Sequence, residues 1–213
     1  MFSIEPIPGN PWPHDMMIRV DDDLQSLLEL LWLREAWQLH PLGDDLPPAL
    51  IDTPIAVAPA VRRSAPTSEW EAAWTHVWEE ALQHAGTTPS PDIFERLQAA
   101  PNGSPDRARL LRELVGPSWR EEIGDDAFTE GAEQWMQAQF EQRVRPSSAG
   151  LEAQPERLSL EALIEAWKCG LTTVVQIPCR GAFTRRIGPH AILVTVGTRA
   201  DPERYTEALR IFC

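Results

Sequence analysis

The hydrophobic pattern of this chain changes period near Gly170. Before that point, apolar residues recur three or four positions apart, as they do on one face of a helix. After it come two short β-branched runs, 172–177 and 191–196, whose residue types suit strands. Helices first and strands last imply an α+β fold. It is helix-dominated, with a small, mostly C-terminal β-sheet flanked by helices. Two strands alone do not make a stable sheet. Residues 16–20 are the candidate to pair with them, and 182–187 reads as a third strand or a loop.

The helical part is punctuated by proline and by capping residues. Residues 1–15 hold four prolines and read as an extended arm; 41–66 hold six and read as a long wrapping segment. Asp21, Asp22 and Asp23 precede the apolar run 24–39 and are placed to cap a helix there. Ser68 and Glu71 fit a capping box for the clearest helix of the chain. On that helix Trp70, Trp74 and Trp78 fall on one stripe with Ala73, Val77 and Ala81, and the stripe is expected in the core rather than in a partner's groove. Further helices are expected over 92–100, from Ser104-Pro105 to Gly116-Pro117, over 125–144, and after Ser159, which has Leu158 and Leu163 placed as a hydrophobic staple. A polar linker is expected over 145–156. Asp201-Pro202 opens the last helix.

The length suits a single domain, 1–213, with a subdivision into 1–150, mainly helical and acidic, and 151–213, small α/β. Net charge is −13, and it is unevenly placed. Residues 1–150 hold 11 basic and 25 acidic side chains, whereas 151–213 hold 8 and 7. So acidic a block repels nucleic-acid phosphate and suits a protein partner with a basic surface. The longest apolar run, Leu30-Leu31-Trp32-Leu33, is too short for a membrane, and residues 1–15 lack the pattern of a signal peptide. Three cysteines without CxxC spacing are expected to be reduced thiols in a cytoplasmic protein. Eighteen arginines against one lysine fit a GC-rich bacterial genome.

Between Glu165 and Asp201 there is no Asp or Glu, while Lys168, Arg180, Arg185, Arg186 and Arg199 all lie there. On an acidic protein, such a segment is where an anion or an acidic surface would bind. Arg180, Arg185, Arg186 and His190 are the candidate ligand-binding residues for a phosphate- or carboxylate-bearing ligand. Within this segment, Cys179-Arg-Gly-Ala-Phe-Thr-Arg185 follows a strand-like run. Cysteine, five residues and arginine resemble the phosphate-binding loop of the cysteine-dependent phosphatases. That resemblance implies Cys179 as the attacking thiolate and Arg185 as the phosphate clamp. It covers seven residues, and Pro178, Arg186 and Gly188-Pro189 depart from that family's pattern on either side.

His76, Glu80 and His84 stand four apart on the tryptophan helix and form a candidate metal set on the face away from the stripe. Solvation of that face is the stronger reading, so no metal and no cofactor are expected. Nucleophile-elbow, Walker, dinucleotide, HExxH and kinase motifs do not occur in the sequence. The composition therefore points first to a non-enzymatic cytosolic protein-interaction module: an adaptor, an immunity or antitoxin-like protein, or an assembly subunit. The alternative is a small enzyme or sensor that binds an anionic ligand through 180–190, with Cys179 as its nucleophile.

Overall fold

The computed structural model describes residues 11–144 and 150–213. The arm expected over 1–15 and the linker expected over 145–156 therefore lie partly outside the described residues. The chain divides into two compact units. One is Asp23–Val144, all helical. The other joins the described residues before Asp23 to those after Val144, and it contains the sheet. The division differs from a single cut near 150 because a strand from the N-terminal segment belongs to the C-terminal sheet.

The helical unit begins with α1 (Gln25–Ala36), followed by α2 (Pro59–Ser64), which lies inside the stretch expected as loop, and α3 (Thr67–Ala85). Two expected caps are not formed. Helix α1 starts after Leu24 with no side-chain cap; Asp21 pairs with Arg19 at 2.8 Å, and Asp23 pairs with Arg143. Helix α3 starts after Pro66, two residues before the position expected from Ser68. Proline has neither a side-chain acceptor nor an N–H for the residue three positions on, now Glu69, to bond, so a capping box cannot close there. Glu71 instead accepts the His40 amide at 2.8 Å.

The tryptophan stripe of α3 is core. Trp70, Trp74 and Trp78 are buried. Trp74 Nε1 donates to Leu30 O at 2.8 Å, its ring stacks on Trp78 at 5.2 Å, and Trp70 meets Trp37 edge to face at 4.7 Å. The pairings 37 with 70 and 30 with 74 run α1 antiparallel to α3. Glu29, also buried, accepts from Trp119 Nε1 at 2.6 Å and from Gln25 Nε2 at 2.9 Å. Next come α4 (Ile93–Ala99) and α5 (Pro105–Val115), a hairpin with its own small core of Ile93, Leu97 and Leu110. Ser104 caps α5 as expected, accepting from the Arg107 amide at 3.2 Å. Two further helices, α6 (Arg120–Ile123) and α7 (Glu130–Arg143), complete the unit.

The second unit is a four-stranded sheet with helices, which makes the chain α+β and helix-dominated, as its pattern implies. Strands β1 (Arg19–Asp21), β2 (Thr173–Ile177), β3 (Thr184–Arg186) and β4 (Ala191–Thr195) lie in the order β1-β2-β4-β3. The first three in that order are parallel; β3 runs antiparallel to β4. The N-terminal strand thus pairs with β2, and the uncertain segment 182–187 supplies an edge strand. Short helices α8 (Pro155–Leu158) and α10 (Val196–Ala200) and longer ones, α9 (Leu160–Lys168) and α11 (Pro202–Phe212), accompany it. Val174, Ile192 and Val194 form a core with Leu163, Ala166, Tyr205, Leu209 and Phe212, so α9 and α11 cover one sheet face. Asp201 caps α11 through the amides of Glu203 and Arg204. Ser159 does not cap α9; its hydroxyl donates to Pro202 O at 3.3 Å, and Leu158 is exposed, so no staple forms.

The cysteine expectation is corrected. Cys169 and Cys213 form a disulfide, and Cys179 is a buried thiol. The bridge follows from packing. Helices α9 and α11 lie on the same sheet face and end side by side, which brings two residues 44 apart in sequence to a Cα separation of 5.5 Å, within disulfide range. Among the described residues no helix is long and apolar enough to cross a membrane.

Candidate functional site

The acid-free segment does not gather its cations at one point. Arg180 follows the carboxyl end of β2, and His190 precedes the amino end of β4. The strands are parallel, so these residues lie at opposite edges of the sheet, about 13 Å apart along the strand direction. Arg185 and Arg186 are successive residues of β3, and successive strand side chains point to opposite faces.

Arg186 and His190 each turn to a helix carboxyl end. Arg186 pairs across the sheet with Ile192, on the face covered by α11. Its Nη1 donates to Phe212 O at 2.9 Å, and its guanidinium lies 4.5 Å from the Phe212 ring centre. His190 Nδ1 donates to Gly170 O, just past α9, at 2.9 Å. Carbonyls at a helix end lack internal partners and carry the negative end of the helix dipole, which is where cations stabilise.

The cysteine loop is closed by its own neighbours. Cys179 is fully buried. Thr195 Oγ1 donates to Gly181 O at 2.8 Å, and the Phe183 amide donates to Thr198 Oγ1 at 3.0 Å. A Cβ at Gly197 would meet Gly181 O at 2.9 Å, so only glycine lets α10 approach the loop this closely. A phosphate cradle needs open amides and an accessible thiolate. Here the Phe183 amide is already bonded and the thiol is covered.

The candidate metal set also separates. His76 Nε2 lies 3.3 Å from Glu80 Oε1 on the exposed face of α3. His84 turns away and donates from Nε2 to Glu113 O at 3.0 Å, beneath Gly116, where a Cβ would sit 2.6 Å from its ring.

The most perturbed ionisable groups lie where the pattern gave no warning, at the carboxyl ends of β2 and β4. Arg199 of α10 donates to both oxygens of Glu156 of α8, at 2.8 and 2.9 Å, and to Gln176 Oε1 of β2 at 3.0 Å. Tyr205 of α11 donates to Glu156 Oε1 at 3.3 Å. Burial weakens the hold of Arg199 on its proton, but the hydrogen bonds and charge of Glu156 outweigh that and leave it above the ordinary arginine range. Burial, reinforced by the Glu156 charge, pushes the Tyr205 phenol up. Sequence reading missed Glu156 because a lone acid in a polar stretch has no signature. The network ties four elements at one point and pairs the Glu156 carboxylate with Arg199 and Tyr205.

The helical unit presents a different kind of site. It carries 9 basic and 21 acidic side chains, a net of −12. Residues 121–142 contain seven Asp and Glu and no Lys, Arg or His. Between the start of α1 and α7 lies a notch of about 290 Å³, lined by Leu28, Met136 and Phe140 together with Gln25, Gln137, Glu133 and the Asp23–Arg143 ion pair. Trp135 and Gln139 face the core, and Phe140, 47% exposed, stands on the flank of α7 beside Met136 and Glu133. Three apolar side chains beside the Glu133 carboxylate suit an apolar side chain carried on a basic surface.

Comparison with protein-family models, with curated proteins and with solved structures finds no match to this chain.

Proposed function

We propose that this protein is a non-enzymatic interaction module whose helical unit engages a basic partner protein. The observation that carries the reading is the α1–α7 notch: Leu28, Met136 and the part-exposed Phe140 line it, Arg143 there is paired with Asp23, and Glu133 is left as its remaining charged side chain, on a unit of net charge −12. A large apolar side chain left part-exposed loses favourable burial unless something covers it. The net charge of the unit, −12, favours a partner of opposite charge and speeds its approach. The tryptophans of α3 serve the core and are not the contact. The cytoplasmic location expected from cysteine number and spacing is not carried into this reading, because the Cys169–Cys213 bridge is of a kind that persists in oxidising surroundings.

The test uses a fluorescent amphipathic helical peptide with lysines on one face and leucine and phenylalanine on the other. Wild-type protein should bind it, and binding should weaken as salt is raised. Phe140→Asp and Met136→Asp should each weaken it more than tenfold, while Phe94→Asp, on α4, should not. Absence of binding at low salt, or equal binding by the two notch variants and wild type, would overturn the proposal.

A further inference from the structure

The helical unit, acidic as a whole, contains a long stretch free of acids. Residues 53–68 hold no Asp or Glu and carry Arg62 and Arg63 side by side. Ala65 precedes a proline and is therefore extended, which turns the chain sharply from α2 into α3. The turn borders an open cleft of about 600 Å³, lined among others by Gln38, Arg62, Arg63, Thr67 and Ser68.

The donors around this cleft are left over. Arg62 donates to Gln38 Oε1, yet its Nε is buried with no hydrogen-bond partner among the described residues. The Trp32 and Trp78 indole nitrogens are left in the same way, so the donors that bear on a ligand here are the outer guanidinium nitrogens of Arg62 and Arg63. Arg63 is exposed and has no ion-pair partner among the described residues. Helix α3 runs for 19 residues and opens with no side-chain cap. The amides of Thr67, Glu69 and Trp70 bond to Ala65 O or Pro66 O, which leaves that of Ser68 unused. Gln38, which holds Arg62, has φ 55° and is the sole non-glycine residue with positive φ among the described ones. That conformation ends α1: Gln38 follows its carboxyl-terminal cap, Trp37, and the Leu39 amide closes back on Arg34 O at 2.8 Å, which sets the Gln38 side chain beside Arg62.

We infer that this corner binds the phosphate group of a small molecule. Two guanidinium groups, a free amide at the positive end of a long helix and the Thr67 and Ser68 hydroxyls together match a tetrahedral oxyanion. The cleft exceeds the size of phosphate alone and falls in the range of small-molecule sites. Two acids also line it. Glu71 is committed to the His40 amide, and Glu69, on the first turn of α3, is exposed. The inference is independent of the partner surface on α7.

The experiment is calorimetric titration of the full chain with inorganic phosphate and, separately, with adenosine 5′-monophosphate. At least one should bind; tighter binding of the nucleotide assigns an organic phosphate, and equal affinity assigns phosphate itself. Arg63→Ala removes an exposed side chain and leaves the fold alone, and it should weaken binding at least tenfold. Arg62→Ala should do the same. Glu69→Gln should tighten binding several-fold by removing a repelling charge. Arg185→Ala, on β3, should change nothing. No binding of either probe at millimolar concentration, unchanged affinity in Arg63→Ala, or weaker binding in Glu69→Gln would each overturn the inference.

Discussion

Arg199 holds Glu156 by both carboxylate oxygens, from Nε at 2.8 Å and from Nη2 at 2.9 Å, and neither side chain is more than 20% exposed. The pair joins α8 to α10 and, through Gln176 and Tyr205, to β2 and α11. Removing one partner leaves the other charge buried and uncompensated. Arg199→Ala should therefore cost about 3 kcal/mol. Replacing both partners, Glu156→Leu with Arg199→Met, should recover most of that loss. Urea unfolding of the three variants checks it, and a double variant no more stable than Arg199→Ala would count against a charge-based account.

Tyr205 is the one tyrosine of the chain, so its ionisation can be followed by itself. Its folded-state pKa is raised, so the stability it contributes is present in full below the unfolded value, about 10, and is lost as pH rises above it. Absorbance near 295 nm should show no tyrosinate in folded protein at pH 10.5 and its appearance on unfolding. Stability should fall by about 1.4 kcal/mol per pH unit above pH 10. Tyr205→Phe should remove that slope; an unchanged slope would assign it elsewhere.

Trp74 is fully buried, bonded to Leu30 O and stacked on Trp78. Trp74→Ala should cost about 3–5 kcal/mol, as large-to-small changes in packed cores do. Denaturant unfolding read by circular dichroism measures it. A fully stable variant would mean that the stripe is not what holds α1 to α3.

The bridge between Cys169 and Cys213 closes a long loop, and Cys179 is covered. Alkylation should therefore find no reactive thiol in the native protein, one after unfolding and three after unfolding with reductant. Reduction should lower stability by about 4 kcal/mol on the loop-entropy account. Three thiols in unreduced, unfolded protein would restore the reduced state that cysteine number and spacing suggest.

Local signals in the sequence decided much of the fold. Helical spacing located the Trp70–Trp74–Trp78 face, Ser104 and Asp201 marked their helix starts, and β-branched runs located β2 and β4, because each signal acts within a few residues. Caps failed where a neighbour competed. Pro66 displaced Ser68 from the start of α3, and Ser159 found Pro202 O instead of the helix it precedes. What only the tertiary structure decided is which distant groups meet. The acid-free segment was legible as a charge pattern. Strand alternation then sent Arg185 and Arg186 to opposite faces, and parallel pairing of β2 with β4 set Arg180 and His190 at opposite edges. The Glu156–Arg199 pair, the Cys169–Cys213 bridge and the cleft beside Arg62 depend on how whole helices stack across dozens of residues. No local propensity encodes that, since pairing energy is realised only once the backbone has brought the partners within reach.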